Sequence, residues 1–578
     1  AGDRTVLVAE DLSDWPAGGQ LLITPTAAGP TAEAFEERAL VGVRRVDGGL
    51  FALDLSSPLA QAHEGGGEIS GEVALLSRNV AISSKYPLRT RGHTAYMAGA
   101  AGSIAYAEFR DLGTLGVLGR YPIHFHMMGE GSRGMSVRGA SIWRSGNHFL
   151  NIHGSNGITV ADTVGYGAPG HGFVVERTVE RHAPVRQGKR EVERARSAKG
   201  GRSGANVGTV FIHTLGAMAR WRPGSLDEPR RIALFWISSL NMTLIDNVAV
   251  GASGGRDSAG FHLAEGQDYT PAAAPLTMVH NEARGNGAHG FFSWTNAKAE
   301  LDIVDLRSYR NGRSGASIGA YNNRLRFFNS RLLENGVHNL GIWVSRTWVQ
   351  DSLLARSPVG VFFHPHPVNS NPDTPTVVAR TRFLEHSAAH IAQDHRSCPQ
   401  PEEERRPASR QCAANYAVFL RPEFGGGRVL DFGWHENAHS WIDLVEWQSP
   451  PAELPSSVRV IRRDQQEDGS RPYEPFEARI RPLQRGVDAP PTVQLTARPQ
   501  GGREGVMLRA QAHDDGGVAA VEFFADGVLL GRLTAPPYEL VWRPGAESRR
   551  VPLVYARAID RSGQVAYSAV TAYSRAGR

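Results

Sequence analysis

The sequence predicts an all-β protein: a right-handed parallel β-helix with an N-terminal β cap and a C-terminal immunoglobulin-like β-sandwich. Three observations predict this fold. The 578 residues include 65 glycines and 34 prolines, and only 21% are charged, a composition that favours turn-rich β-structure over helices. Short apolar runs recur between Gly, Asn and Asp without any helical period. A Gly–apolar step also repeats about every 19 to 30 residues, which suits the coils of a solenoid.

The first 80 residues read as alternating strands. TVLVAE, GQLLITP and RALVGVRRV are examples, and Gly, Asp or Pro turns separate most of these strands. We interpret residues 1–80 as a β cap that hides the apolar end of the solenoid, in preference to a catalytic module.

Residues 81–445 are expected to form the β-helix. An Asn or Asp precedes each Gly–apolar step, where it suits a tight turn and can hydrogen-bond between coils. The steps lie at Gly260, Gly290, Gly315, Gly341 and Gly360. Residues 177–206 interrupt the pattern with a run of Arg, Lys and Glu. This insertion is expected to be a solvated loop, either a lid or subsite wall or a disordered segment.

The C-terminal quarter predicts a separate domain. Residues 446–488 resemble a linker, and residues 489–578 contain about seven short alternating strands joined by turns such as DDGG and ADG. VEFFADGVLLGRLTAPPYELVW resembles a bacterial immunoglobulin-like domain. We expect it to act as a spacer rather than as a glycan-binding module.

Charge and cysteine content narrow the compartment and the partners. The net charge of +5 comes without a basic stripe of the kind that binds nucleic acid, and it suits either an anionic polysaccharide or an ordinary basic surface. No apolar run reaches the ~20 residues that span a bilayer. Cys398 and Cys412 flank one polar loop and predict a disulfide, with two free thiols as the alternative. We therefore expect a secreted or periplasmic monomer whose signal segment has been removed.

Five of the 21 histidines lie between Gly119 and Glu176. They are His124, His126, His148, His153 and His171. The first two are two residues apart, so on a strand they project from one face. The spacings of 22 and 23 residues (126 to 148 and 148 to 171) match the length of one coil. Several imidazoles are therefore expected to converge on one point.

These motifs carry a family resemblance. GRYPIHFH, SIWRSGNHFLNIHGSNGITVADTVGYGAPGHGFVVE and FIHTLGAMARWRPGS resemble the cell-migration-inducing hyaluronan-depolymerising proteins and their fibrocystin-like relatives. The resemblance covers roughly residues 1–300. It implies a parallel β-helix, an N-terminal module similar to part of a G-eight domain, and an acidic polysaccharide such as hyaluronan or a related glycosaminoglycan as partner. The family includes both enzymes and surface proteins.

The resemblance also selects candidate metal ligands, because five of the matching positions are histidines. Neutral imidazole is a common ligand of zinc, copper, nickel and iron, and three or four convergent ligands leave a position for water or substrate. The alternative is that these side chains hydrogen-bond along the helix or face solvent. His148 falls outside the matching motifs and ranks lower. The candidate ligands are His124, His126, His153, His171 and His213.

Polysaccharide cleavage without a metal is a second hypothesis. A lyase that acts on uronic acids must neutralise a carboxylate and remove the C5 proton, and Arg120, Tyr121 and His171 offer a neutraliser, an acid and a base. A hydrolase needs two carboxylates, for which Asp162 and Glu176 are candidates, although an Asp in this context commonly caps a turn.

Together these features predict a secreted, bacterial-type polysaccharide depolymerase, either a hyaluronidase-like hydrolase or a lyase. Two other classes stay open. One is a non-catalytic surface or adhesion protein that binds glycans, and the other is a metal-dependent oxidoreductase.

Overall fold

A computed structural model describes most of the chain. The described residues are 1–29, 31–176, 206–269, 271, 273–294, 300–319, 325–343, 347–364, 376–393, 415–431, 440–445, 458–461, 489–499, 505–544 and 551–573. Nearly all of the 177–206 insertion, both cysteines and most of the expected linker lie outside these ranges. The chain divides into two compact units, one with Ala1–Thr243, Asn247–Leu276 and Gly285–Gly287 and one with Leu244–Asp246, Thr277–Arg284 and Ala288–Arg578.

The all-β prediction is confirmed. The described residues contain no α-helix and only three short 3₁₀ turns, at Ala32–Ala34, Asp47–Gly49 and Glu130–Ser132. No helix in the described part of the chain is long and apolar enough to cross a membrane.

The first unit begins with a five-stranded antiparallel sheet in the order β1-β4-β3-β2-β5. Its strands are β1 (Thr5–Val8), β2 (Gln20–Ile23), β3 (Glu36–Arg45), β4 (Phe51–Leu55) and β5 (Val73–Leu75). Alternation along β2 sends Leu21 and Ile23 into a small core on one face and Leu22 to the other face.

This sheet packs on the side of the coil, which differs from the expected end cap. Leu22 and Phe35 lie in one buried cluster with Trp143 and Tyr166, which project outward from coil strands. Meanwhile Val80, in the first strand of the coil, stays 61% exposed. Outward-facing aromatic residues offer a larger apolar area than the coil end, so burial favours this lateral contact.

The rest of the first unit is a parallel β-helix. Its strands are β6 (Val80–Ser83), β7 (Thr94–Tyr96), β8 (Ile104–Ala105), β9 (Ala107–Arg110), β10 (Ile123–Gly129), β11 (Ser136–Arg138), β12 (Ser141–Trp143), β13 (Leu150–Ser155), β14 (Thr159–Ala161), β15 (Val164–Ala168), β16 (Phe173–Glu176), β17 (Thr209–Ile212), β18 (Leu215–Ala219), β19 (Ala233–Ser239), β20 (Met242–Ile245), β21 (Val248–Val250) and β22 (Ala259–Asp268). They form three coil sheets. The first runs β7-β10-β13-β16-β19-β22, the second β8-β11-β14-β17-β20, and the third β6-β9-β12-β15-β18-β21.

Stacked aromatic side chains fill the interior of this coil. Phe149, Phe173, Phe235 and Phe261 follow one another with ring centroids 5.5, 5.3 and 4.9 Å apart, and all four are almost completely buried. Each coil therefore contributes an apolar rung to one continuous core.

The corner between the second and third coil sheets uses a left-handed residue. Asp162 (φ 50°) precedes β15, and His213 (φ 49°) precedes β18. Asp tolerates this conformation because its short side chain hydrogen-bonds locally. The turn-capping interpretation of Asp162 fits this corner position.

The second unit continues with coil strands and the C-terminal domain. Its coil strands are β23 (Thr277–Val279), β24 (Glu282–Arg284), β25 (His289–Ser293), β26 (Leu301–Val304), β27 (Arg307–Tyr309), β28 (Ser314–Ile318), β29 (Leu325–Phe328), β30 (Arg331–Leu333), β31 (His338–Trp343), β32 (Trp348–Gln350), β33 (Leu353–Ala355), β34 (Val359–His364), β35 (Thr376–Ala379), β36 (Arg382–Leu384), β37 (Ala389–Gln393), β38 (Asn415–Leu420), β39 (Glu423–Phe424), β40 (Leu430–Asp431), β41 (Ser440–Val445) and β42 (Val458–Ile461). The last strand lies inside the expected linker and pairs in parallel with β41, so the coil extends beyond its expected end.

The immunoglobulin-like prediction is confirmed. Its strands are β43 (Thr492–Pro499), β44 (Val506–His513), β45 (Val518–Ala525), β46 (Val528–Leu533), β47 (Glu539–Trp542), β48 (Leu553–Asp560), β49 (Val565–Tyr567) and β50 (Thr571–Ala572). They form two antiparallel sheets around a shared core. Within this second unit the Tyr567 hydroxyl donates to Asp302 of the coil, and Asn329 donates to the Tyr567 and Ser568 carbonyls at 3.0 Å. The sandwich is therefore anchored on the coil.

Candidate functional site

The outward face of the first coil sheet carries the candidate site. Along β10, Ile123 and Phe125 are fully buried in the coil, so the alternation turns His124 and His126 outward. The parallel register sets His124 beside Asn151 and His126 beside His153, and His153 is in turn beside Glu176. Two residues of HxH thus lie next to polar residues of the following coils.

Three of the predicted ligands come together here. His124, His126 and His153, which we call the histidine cluster, each offer a ring nitrogen, and these nitrogens all lie within 4.8 Å of one another. The ring centroids of His124 and His126 are 4.9 Å apart, and those of His126 and His153 are 5.2 Å apart. A spacing of this size suits three ligands around one ion.

Hydrogen bonding leaves His124 with an unused acceptor. Its Nδ1 donates to the Gly119 carbonyl at 3.2 Å, which assigns the lone pair to Nε2. That Nε2 is buried and has no hydrogen-bond partner, as is Nδ1 of His126. A buried nitrogen without a partner is costly, and a bound cation would remove this cost.

The cluster is electrically neutral near pH 7. Burial lowers the pKa of His124 to about 4, against the opposing charge of Glu176. Burial also lowers the pKa of His126, with His153 adding to the effect. Neutral imidazole is the form that binds metals, so both side chains are ready to act as ligands without first losing a proton.

Glu176 lies behind the cluster and is held from three sides. One carboxylate oxygen lies 3.7 Å from Nδ1 of His153. The other accepts a hydrogen bond from the Asn151 amide at 2.8 Å and lies 3.4 Å from the Tyr121 hydroxyl. A carboxylate beside the second nitrogen of a histidine ligand fixes the orientation of its ring. Gly119 does the same for His124.

A second layer is built around Asp227. Its carboxylate lies 3.1 Å from Nε2 of His148 and 3.2 Å from Nε2 of His171, and it accepts the backbone N–H of His171 at 2.8 Å. The His148 ring stacks on Tyr121 with centroids 4.8 Å apart and planes 6° apart. Asp227 therefore connects both histidines to the residues that face Glu176.

The hydrogen bonds assign charge within this layer. The Ala233 N–H donates to Nδ1 of His171 at 3.1 Å, so its Nε2 carries the proton that Asp227 accepts. Burial lowers the pKa of His171 to about 4. Burial alone would raise the pKa of Asp227, but His171 and His148 outweigh it and hold that pKa below its usual range. The layer is an anionic carboxylate held by neutral imidazoles.

Two of the five predicted ligands are placed differently from the prediction. Both ring nitrogens of His171 are occupied by Ala233 and Asp227, so it supports the site instead of offering a ligand. His213 is 57% exposed and pairs with Asp162 at 2.8 Å, because it occupies the left-handed corner position, away from the first coil sheet.

The predicted catalytic residues are also divided. Tyr121 and Glu176 lie at the site. Arg120 is exposed on the preceding loop, and its side chain lines a neighbouring pocket. The pairing of Asp162 with Glu176 is not assembled, since Asp162 belongs to the corner between the second and third coil sheets. The carboxylates that do face the site histidines are Glu176 and Asp227.

Sequence reasoning missed Asp227 and Asn151 and ranked His148 too low. Asp227 lies two residues beyond the motif FIHTLGAMARWRPGS, on a loop whose path no periodicity predicts. His148 did carry a signal, because its spacing from His126 and His171 equals one coil. Asn151 carried a weaker one, since it stands two residues before His153 on the same strand face.

Comparison with known proteins confirms the family resemblance. Residues 90–293 match the family model described as CEMIP beta-helix, and residues 491–564 match the one described as Bacterial Ig domain. The chain is 24% identical over 435 residues to the cell surface hyaluronidase of Danio rerio, covering 66% of this chain and 26% of that protein. It is 25% identical over 304 residues to the cell migration-inducing and hyaluronan-binding protein of Homo sapiens, covering 42% and 20%.

The overlap with these relatives is partial. The chain spans about a quarter of the length of the curated relatives that it matches. Among solved structures, the A-module of the mannuronan C-5 epimerase AlgE4 from Azotobacter vinelandii matches with a TM-score of 0.31 and 12% identity, over 61% of this chain and 89% of that one. A likeness at that level carries no weight for activity.

Proposed function

We propose that this protein, whose β-helix resembles the CEMIP family, depolymerises an acidic polysaccharide, hyaluronan or a related glycosaminoglycan, at a metal-binding histidine cluster. Relatives named as a hyaluronidase and as a hyaluronan-binding protein support the substrate class. The same relatives support a secreted or periplasmic location, because one of them is named for the cell surface.

The unpaired Nε2 of His124 is the observation that carries the proposal. It lies in a group of three histidine nitrogens, two members of the group have lowered pKa values, and one further buried nitrogen, on His126, is also unpaired. This donor set fits a divalent transition metal such as zinc, copper, nickel or iron. Three protein ligands leave a position open for water or substrate. When bound, such an ion supplies a Lewis acid and an activated water.

The residues around the cluster have separate roles in this proposal. Glu176 faces the cluster as the group that accepts or returns a proton, and the Asn151 amide fixes its orientation. The Tyr121 hydroxyl, 3.4 Å from Glu176, is placed to exchange a proton with it. Asp227 positions His148, and the stacked His148 ring in turn positions Tyr121. Both hydrolysis and elimination are compatible with these roles.

An aromatic surface next to the cluster suits a sugar chain. The Trp236 side chain projects outward and is half-buried. Its ring lies between His171 and His262, with centroid separations of 4.2 and 4.5 Å. Flat rings of this kind pack against the apolar faces of pyranoses.

Metal analysis tests the proposal. Protein purified without a His tag is expected to hold one transition-metal ion per chain. The His126→Ala variant is expected to lose both the ion and activity on hyaluronan, while His213→Ala, a matched change at an exposed corner histidine, keeps both. Equal metal content in all three proteins would remove the site assignment.

The products separate the reaction classes. New reducing ends without ultraviolet absorbance indicate hydrolysis, whereas absorbance from an unsaturated uronate indicates elimination. Binding without any new ends would indicate the adhesion-type glycan binder instead. Oxidised sugar products that require the bound ion would indicate the oxidoreductase.

A further inference from the structure

A basic pocket in the first unit has no role in the chemistry described above. Its volume is about 430 Å³, and four of its 11 lining residues are arginines, whereas none is acidic. The four are Arg89, Arg91, Arg120 and Arg222. Such a concentration of one charge in a concave surface is unusual for a chain whose net charge is only +5 and focuses the electrostatic field into the pocket.

The positive charge of the pocket is largely uncompensated. Arg89, Arg120 and Arg222 have no carboxylate partner among the described residues, and Arg91 reaches Asp111 only at 3.7 Å. Burial lowers the pKa of Arg91, Asp111 opposes this effect, and the nearby Arg222 adds to it. Like charges held this close favour an anion between them.

The same loops build the pocket and the histidine cluster. The Gly119 carbonyl, which accepts the Nδ1–H of His124, directly precedes Arg120. The Asn147 side chain donates to the Thr114 carbonyl at 2.9 Å and to the Val117 carbonyl at 3.1 Å, and it directly precedes His148 in the chain. The loop that carries Arg120 is therefore fixed by residues of the site.

A second loop makes the same connection. It carries Arg222 to the pocket and Asp227 to His148 and His171. Within this loop the Trp221 indole N–H donates to the Asp227 carbonyl at 3.2 Å, which fixes the distance between the two functional positions. An occupant of the pocket would thus be held at a defined position relative to the cluster.

We propose that this pocket is a subsite that binds the carboxylate of a uronic-acid unit in the glycan chain on which the histidine cluster acts. The inference rests on the proposed function for the identity of the chain, and on the pocket itself for the charge of the unit. Guanidinium groups bind carboxylates through paired N–H donors. A sulfate ester on a sugar presents a similar oxyanion, and the experiment below distinguishes the two.

Calorimetric titration in the His126→Ala background, where cleavage is not expected, tests this subsite. Three probes of matched length are used: a hyaluronan hexasaccharide, a keratan sulfate oligosaccharide with sulfate but no uronate, and a neutral N-acetylglucosamine hexamer. Arg89→Gln and Arg222→Gln are each expected to weaken hyaluronan binding about tenfold, which equals about 1.4 kcal/mol. Arg138→Gln, an exposed arginine on β11 outside the pocket, serves as the matched control and is expected to change it less than twofold.

The outcomes decide between the alternatives. Loss of hyaluronan affinity without loss of hexamer affinity, and a larger loss at low salt than at high salt, supports the subsite. Equal affinity in the two pocket variants and the control overturns it, provided that all three melt at the same temperature. Keratan sulfate that binds as tightly and loses as much overturns the assignment to uronate.

The proposed function fails separately. If the unaltered protein holds no metal and cleaves nothing, but Arg222→Gln still weakens hyaluronan binding, the subsite stands and the depolymerase proposal does not.

Discussion

Asp227→Asn tests whether one carboxylate holds the second layer of the site together. In the native protein this carboxylate accepts three N–H groups: Nε2 of His148, Nε2 of His171 and the His171 backbone amide. An asparagine keeps one acceptor oxygen and presents an NH₂ group to the remaining donors. At least one buried N–H then loses its partner, and a second contact becomes donor against donor.

The expected loss of stability follows from these contacts. An unsatisfied buried donor costs roughly 1–3 kcal/mol, so Asp227→Asn should lower the free energy of unfolding by about 3 kcal/mol. The side chains of Asp227, His148 and His171 are all less than 10% exposed, so water does not readily replace the lost bonds. Tyr121, which stacks on His148, should become more mobile, and activity should fall as well.

Urea unfolding followed by tryptophan fluorescence measures this loss. Asp162→Asn is the matched control, because Asp162 also pairs with a histidine but is 43% exposed, where such a pair contributes roughly 0–1 kcal/mol. A midpoint for Asp227→Asn that equals the control would refute the reasoning, since it would mean that the carboxylate does not satisfy buried donors.

Three further predictions concern acid stability, coil packing and the first sheet. The folded-state pKa of His171 is about 4 against about 6.5 when unfolded, so the unfolded chain binds more protons between these values; stability is full above pH 6.5 and falls by up to about 3 kcal/mol as the pH drops to 4. Urea midpoints that are equal at pH 7.5 and pH 4.5 would contradict this. Gly165→Ala should cost about 1–3 kcal/mol, because an added Cβ lies 2.4 Å from the Phe149 ring, whereas Gly131→Ala, with open space around it, should be near neutral; thermal melting compares the two. Phe35→Ala should cost about 3 kcal/mol and expose Trp143 and Tyr166, measured by faster limited proteolysis of residues 1–76, and unchanged cleavage would show that this contact does not hold the sheet.

The outward alternation of HxH on β10 follows from the sequence, because a strand fixes which side chains share a face. The coil-length spacing likewise predicted that residues of neighbouring coils meet, and His126 and His153 do so. The solenoid and the sandwich were readable for the same reason: each rests on short local patterns that repeat. The family resemblance added the hyaluronan-related substrate class, which periodicity does not supply.

Only the tertiary structure decided which polar residues share the site. His213 and His153 are both part of matching motifs, yet a left-handed corner turns one to solvent while a strand turns the other into the cluster. Asp227 and Arg222 reach the site and its pocket on a loop that crosses from another coil, and Phe35 meets Tyr166 across more than a hundred residues. Local propensity fixes strands and turns, but contacts between segments far apart in the chain depend on how the coils stack, and those contacts set the charge, burial and pairing of every functional group described.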